Sequence, residues 1–561
     1  MFKLEELEEI WFCTRKNAKR KLKKMEEQQL LRYFPGKGRG NLSKLSFAHD
    51  FQTEVETAVQ EFMDKKQLEE IIHILQLPIP KAWIANVSKE VQELFGLQSP
   101  NDSRDILRTI ITREITTLDP LFVSVTLESY LVKQLGDTLV IYDRETDTIK
   151  PHLAHHWLVD EQSMEWTFYI RKGVRFHHQG ILTSDDVKST FERFNIASSP
   201  QRWLTQDIVK IECPTTYTIK FYLKKPNPFF LRYISSTNLV ILPKDIPFDE
   251  YRWIGTGPFQ LKERTDSKLI LKAFEFYFLE RPLLDEVEFW RVPMDPSRVT
   301  TYVVEEKKHE LRIIEDSKDA HLKKTDIEVG FRFLAFNFNR DSVVQSHSFR
   351  KAIFHLLDTE RMYQDLKREG FIEASSFFPW KSTTQKRDRS KVREYLAQSG
   401  YRGEILTLFS LDFPKALEEA EWIAEQAKLE GIILKHVPFS INQFYSNTID
   451  VEADLLLMGE VATLDYHLSF LGAFYNEALF FRRLLKKEQL IVIEESLEQF
   501  KFEPNAMERE YWMEKVESYL RDQHLILFQN HPIKNRVFHP MIQDIRFESF
   551  GYVDLQKLWI Q

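Results

Sequence analysis

Charge is partitioned along this chain, and the partition limits what each part can become. Residues 1–48 carry twelve Lys and Arg against six acids, a balance of +6; the whole chain is −8, so the other 513 residues hold −14. A small basic head on a large acidic body suits two jobs: the head meets a polyanion, and the body does something else. Seven of the basic residues fall between positions 15 and 24, with no acid among them.

The pattern around that run predicts its shape. Leu4, Leu7 and Trp11 recur at helical spacing, a break follows at Cys13–Thr14, and Thr14 is placed to cap a second helix, RKNAKRKLKKMEEQ. Ala18, Leu22 and Met25 form its apolar stripe, which puts Lys16, Asn17, Lys19, Arg20, Lys23 and Lys24 on or beside the opposite face. LLRYF, PGKGRGN and LSKLSF then read as a β-hairpin whose tip carries Lys37 and Arg39. A basic helix for the major groove, with a wing that touches phosphate or minor groove, is a DNA-reading arrangement. Those eight residues are therefore the predicted contacts to double-stranded DNA. The glycines are spaced G-x-G-x-G inside a hairpin and lack a following Lys-Ser/Thr, which excludes a nucleotide phosphate loop.

CTRKNAKRKLKKM followed by LLRYFPGKGRGNLSKLSF resembles the N-terminal winged-helix domain of SgrR-type bacterial transcriptional regulators. Such domains usually begin with a buttressing helix, whereas here the chain opens directly on the positioning helix. The expectation is that the start omits a helix or that the following segment supplies the packing. That segment, 49–103, reads as a helical connector: FQTEVETAVQEFM, LEEIIHIL and VSKEVQELFG, interrupted by PIPK. Val55, Val59 and Phe62 form a stripe able to pack on the head, and His73 is expected to be a buried structural residue.

From about residue 104 the pattern changes to mixed strands and helices. WTFYIRKGVRF reads as strand–turn–strand about Gly173, and LTSDDVKSTFERF as a helix capped by Thr183 or Ser184 with Val187 and Phe191 inside. This block, with IGTGPFQL, FNFNR, HSFRKAIFHLLDTERM and VDLQKLWI, resembles the peptide- and nickel-type solute-binding proteins of ABC importers, family 5. The resemblance implies a two-lobed α/β, periplasmic-binding-protein-like body of type II over 104–561, with lobe I at 104–334 plus 531–561 and lobe II at 335–530. It also implies ligand held between the lobes by hinge closure. The whole chain is thus expected to be multidomain: a winged helix-turn-helix head at 1–48, a connector at 49–103, then this body.

Peptide-binding relatives often carry a G-W-x-A-D-Y-P-D-P-like stretch whose aspartate holds the peptide amine. This chain reads LLLMGEVATLDYHLSFL from Leu455, with Glu460 in place of the tryptophan and Thr463 in place of the first aspartate. A sugar or sugar phosphate is therefore favoured over peptide, with Asp465, Tyr466 and Trp380 as expected contacts.

No signal peptide or membrane-length apolar run is present, and Cys13 and Cys213 stand far apart, so a cytoplasmic chain without a membrane partner or a disulfide framework is expected. His152, His155, His156, His177 and His178 lack metal-site spacing and are read as structural, and HELRI at His309 lacks a second histidine. Asp185 and Asp186 fit a helix N-terminus. No catalytic set, metal or cofactor is expected. The reading is a one-component transcriptional regulator that senses a small solute; the alternative is a solute- or oligopeptide-binding protein without DNA binding.

Overall fold

The computed structural model describes residues 3–4, 6–7, 11, 13–36, 42–48, 50–65, 67–77, 96–98, 104–195, 198–292, 322–368, 370–538, 542–547 and 551–560. The chain divides into two compact units, Met1–Phe95 with Val292–Met294, and Gly96–Arg291 with Asp295–Gln561.

In the first unit the basic run forms a helix over Arg15–Glu27. Thr14 takes the extended N-cap conformation, but its side chain makes no capping bond, so the expected cap acts through backbone geometry alone. Ala18 and Leu22 are fully buried. Strands β1 (Leu31–Phe34) and β2 (Lys44–Phe47) pair antiparallel, Leu31 opposite Phe47 and Phe34 opposite Lys44. Leu4, Leu22 and Leu31 form the centre of a small core, with Leu7, Trp11, Met25, Tyr33 and Leu45 packed around it.

Two helices follow in the same unit. The first, Phe51–Asp64, is capped by Asp50, which accepts from the Thr53 N–H at 3.3 Å, and it buries Val55 and Val59. The second, Leu68–Leu75, buries Leu68, Ile71, Ile72 and Leu75. His73 is exposed, not buried as expected: one residue past Ile72 the helix has turned about 100° away from the apolar face. Within VSKEVQELFG only Gly96 is described, and it opens strand β3.

The second unit starts with β3 (Gly96–Gln98) and β4 (Ile106–Ile111). Next come β5 (Val140–Asp143), β6 (Thr148–Pro151), β7 (Ala154–Val159), β8 (Glu165–Ile170), β9 (Ile208–Thr215), β10 (Thr218–Leu223), β11 (Phe259–Arg264), β12 (Lys268–Ala273) and β13 (Glu286–Arg291). These make a four-stranded sheet ordered β7-β8-β10-β9, a five-stranded sheet ordered β11-β12-β13-β4-β3, and the β5-β6 ribbon. β14 (Leu322–Ile327), β15 (Gly330–Phe336), β16 (Phe371–Glu373), β17 (Ile405–Leu411), β18 (Ile433–Phe439), β19 (Leu455–Val461) and β20 (Ile526–Phe538) form one seven-stranded sheet. β20 is long enough to pair with β15 through its first half and with β14 through its second. The expected lobe boundaries, 334/335 and 530/531, fall inside β15 and β20. Residues 542–560 return to the first sheets: Ile542, Val553, Leu555 and Leu558 share a core with Leu107, Tyr130 and Val287, and the Tyr130 hydroxyl donates to the Val553 carbonyl at 2.7 Å. We call 104–291 with 542–560 the N-terminal half of this unit, and 322–538 the C-terminal half.

The sequence blocks are positioned by packing. Asp186 accepts from both the N–H and hydroxyl of Thr183 at 2.8 Å, starting the helix Ser184–Arg193, which buries Val187 and Phe191. In IGTGPFQL a Cβ on Gly255 would lie 2.3 Å from the Leu135 carbonyl oxygen, and one on Gly257 2.4 Å from the Leu135 carbonyl carbon. Only glycine permits that approach. Asn337 of FNFNR is fully buried and donates to the Asp450 and Ala453 carbonyls at 2.8 Å.

Gly173 turns the chain after β8 at φ 81°, as expected. No second strand follows; only the isolated bridge Arg175–Ile181 forms. The reason lies at His177, whose N–H donates to the Gly255 carbonyl at 2.8 Å and diverts the backbone from the sheet.

Candidate functional site

The periodicity that buries Ala18 and Leu22 turns the rest of their helix outward. Lys16, Asn17, Lys19, Arg20, Lys23 and Lys24 are all exposed. Lys23 makes only a loose pair with Glu27 at 3.9 Å, a contact worth little in water. Lys21, not among the predicted contacts, stands over the Trp11 ring at 5.4 Å. Lys37 and Arg39 lie outside the described residues, between β1 and β2.

In the second unit a cavity of about 260 Å³ opens between the two halves. Ser124, Gln201 and Asn238 line it from the N-terminal half; Arg332, Glu460, Asn476 and Phe480 line it from the C-terminal half. Asn476 Nδ2 donates to Ser124 Oγ at 3.2 Å, and the Ser124 N–H donates to the Tyr445 hydroxyl at 3.2 Å. The Trp203 and Tyr475 rings stack across the same boundary at 5.8 Å. Glu460, noted in the sequence only as a replacement, is half-buried here, and burial pushes its carboxyl group up to about 8.

The three expected ligand contacts sit beside this cleft and do different things. Asp465 is buried: it caps the helix Tyr466–Tyr475 through the Leu468 N–H at 3.0 Å and accepts from Arg232 Nη1 at 2.8 Å. Arg232 also binds Asp147, which in turn accepts from Arg509 Nη2 at 2.8 Å. Tyr466 and Trp380 come together, rings edge to face at 5.2 Å, with Trp380 stacked on Phe378 at 5.1 Å. Burial, then the Glu510 carboxylate, raises the Tyr466 hydroxyl above its ordinary value. Trp380 is half exposed and lines a second cavity of about 360 Å³ with Arg144, Thr463, Leu464 and Phe547. The Thr463 hydroxyl donates to the Asp465 carbonyl at 3.0 Å and shares a 2.8 Å hydrogen bond with Ser469 Oγ.

The histidines are dispersed. His152 pairs with Asp137 at 2.7 Å, His177 bridges the Gly255 N–H and the Gly257 carbonyl, and His155 and His156 are exposed on β7. Among the described residues no three His, Cys, Asp or Glu converge as a metal site, and no helix is long and apolar enough to cross a membrane. His309 lies outside the described residues.

Residues 148–479 match the family described as bacterial extracellular solute-binding proteins, family 5. The chain belongs to that family. Its first 95 residues match a second family, the sugar transport-related sRNA regulator N-terminal domain, so this family 5 protein has the SgrR-type organisation of regulator segment followed by solute-binding domain. Uncharacterized protein YhjP of Bacillus subtilis is 27% identical over 99% of this chain and 95% of that protein. The HTH-type transcriptional regulator SgrR of Pectobacterium atrosepticum is 26% identical over 54% of this chain, and the match spans 52% of that regulator. Among solved structures, a dipeptide-binding protein from Pseudoalteromonas with Met-Leu superposes at TM-score 0.70 and 19% identity, covering 81% of this chain and all of the other. AgaA from Agrobacterium with agropinic acid superposes at 0.68 and 18%, covering 81% and 99%. These likenesses give the family 5 protein the two-lobed α/β fold of periplasmic binding proteins.

Proposed function

We propose that this family 5 protein is a cytoplasmic transcriptional regulator that reads DNA with its N-terminal unit and senses a small solute in its C-terminal unit. The observation that carries the reading is the exposed basic face of the helix Arg15–Glu27, followed at once by the β1–β2 hairpin and joined to a solute-binding fold. In the winged-helix reading, Lys16, Asn17, Lys19, Arg20, Lys23 and Lys24 meet the major groove, while Lys37 and Arg39 on the wing meet phosphate or minor groove. The likeness to regulators named SgrR supports the same assignment.

The solute enters between lobe I (104–334 and 531–561) and lobe II (335–530), at the cleft that Trp380 and Tyr466 flank. A sugar or sugar phosphate is favoured over a peptide. Thr463 brings no charge for a peptide amine, and the Asp465 carboxylate is engaged by Arg232. Ligand binding shifts DNA affinity to the extent that the ligand prefers one lobe arrangement over the other. Electrophoretic mobility shift with purified chain and genomic duplex fragments, with and without glucose 6-phosphate, tests both halves of the reading. Retention of duplex that changes with the sugar phosphate supports it; a chain that stabilises on adding peptide and retains no duplex favours a solute-binding protein without DNA binding.

A further inference from the structure

We propose that Glu460 sets the ligand class of the cleft between the two halves: its carboxyl group hydrogen-bonds a hydroxyl of a small, hydroxyl-bearing solute that carries no cation at that end. This rests on the reading of the cleft as a solute site and names the side chain that would select the solute.

The surroundings of Glu460 single it out. On β19 it stands directly opposite Phe331 of β15. Phe331 is buried against Phe377 at 4.5 Å and lies parallel to Phe481, so the carboxyl group is backed by an aromatic patch. It makes no hydrogen bond or ion pair to a described residue. Three other polar side chains of the cleft are committed to the protein itself. Gln201 donates to the Val123 carbonyl at 2.8 Å and accepts from Trp203 at 3.2 Å. Asn238 donates to the Pro120 and Val123 carbonyls. Asn476 accepts from the Ala478 N–H at 2.9 Å. Glu460 thus brings uncommitted hydrogen-bonding capacity to the cleft wall.

The arginines of the cleft wall leave no carboxylate free for a cationic ligand. Arg113 lines the cleft and is forked onto Glu128 at 2.6 and 2.7 Å; Arg332 lines it from β15, opposite Gly459. Glu128 is spent on Arg113, and burial, with no charged neighbour among the described residues, acts on the Glu460 carboxyl. With its carboxyl group pushed up to about 8, Glu460 is mostly protonated at neutral pH. It then offers one donor and one acceptor, which matches a hydroxyl and not an ammonium.

Isothermal titration of the full chain with glucose, glucose 6-phosphate and trialanine, at pH 6.5 and pH 9, tests this in wild type, Glu460→Gln and Glu460→Leu. At pH 6.5 a hydroxylated probe should bind wild type and Glu460→Gln within a few-fold of each other, and Glu460→Leu roughly tenfold or more weakly. For glucose, which does not titrate in this range, raising the pH to 9 should weaken wild type about tenfold, given a carboxyl value of about 8, and leave Glu460→Gln unchanged. Circular dichroism confirms that each variant is folded. A sugar that binds Glu460→Leu as well as wild type overturns the role of Glu460 while the cleft stays a solute site. So does trialanine binding to wild type that is lost in Glu460→Gln. If no probe binds wild type at either pH, the sugar reading of the cleft fails, and this assignment with it.

Discussion

Arg232 and Asp465 are separated by 233 positions in the sequence and joined by a 2.8 Å ion pair that ties the two halves of the solute-binding unit together. Burial opposes the Arg232 charge, but the Asp465 carboxylate, with Asp147, more than offsets it and raises the guanidinium above its ordinary value. The guanidinium also lies over the Tyr142 ring at 4.1 Å. Asp465 is thereby held as a structural carboxylate beside the cleft.

Removing one member of such a pair strands a buried charge. Arg232→Met should destabilise the unit by about 3–5 kcal/mol, read as a lowered urea midpoint. Arg232→Met with Asp465→Asn, which keeps the helix cap, should recover part of that loss. A double variant no more stable than the single one would mean that Asp465 does not depend on Arg232.

His177 accepts from the Gly255 N–H at 3.2 Å through Nδ1 and bonds the Gly257 carbonyl at 3.1 Å through Nε2. This uses a neutral ring, and burial lowers its value to about 4. An unfolded chain protonates near the ordinary 6.5. The stability this group contributes is complete above pH 6.5 and is lost as pH falls towards 4. His177→Gln should flatten the pH dependence of the melting temperature across that window; an unchanged slope would contradict it.

Gly257→Ala should cost roughly 1–3 kcal/mol or more by overpacking, since the new Cβ meets the Leu135 backbone at 2.4 Å. Thermal melting of that variant beside Gly173→Ala, which has space around it but a positive φ, separates crowding from backbone strain. The first should lose more.

Among the described residues the head packs three leucines at its centre, Leu4, Leu22 and Leu31. Leu22→Ala should therefore cost about 2–5 kcal/mol and unfold the first unit in preference to the second. Limited proteolysis should then cut within the first 75 residues. Cleavage confined to the larger unit would be the opposite result.

These positions also show where sequence is informative. The stripe of Ala18 and Leu22 and the Asp186 cap are local: spacing or residue type is enough to place them, whereas the crowding of Gly255 and Gly257 comes from Leu135, about 120 positions away. Arg232–Asp465 was not legible, because the partners meet only once two distant segments have folded. Glu460 was visible as an odd residue in a familiar stretch, but its aromatic backing comes from Phe331 on another strand. His73 shows the opposite hazard, an apolar neighbourhood in sequence that a single helical step carries to the surface. The lost second strand after Gly173 is likewise a tertiary effect, set by the backbone bond from His177 to Gly255.

The most direct measurement is fluorescence anisotropy of the purified chain on labelled genomic duplex across a salt series, beside a Lys16→Glu/Arg20→Glu variant with an unchanged far-ultraviolet spectrum. The expected result is binding at low salt whose log K falls by about 0.9 for each phosphate contacted per log unit of salt, and its loss in the variant. No duplex retained at low salt, or full affinity in the charge-reversed variant, would contradict a DNA-reading head on the helix Arg15–Glu27.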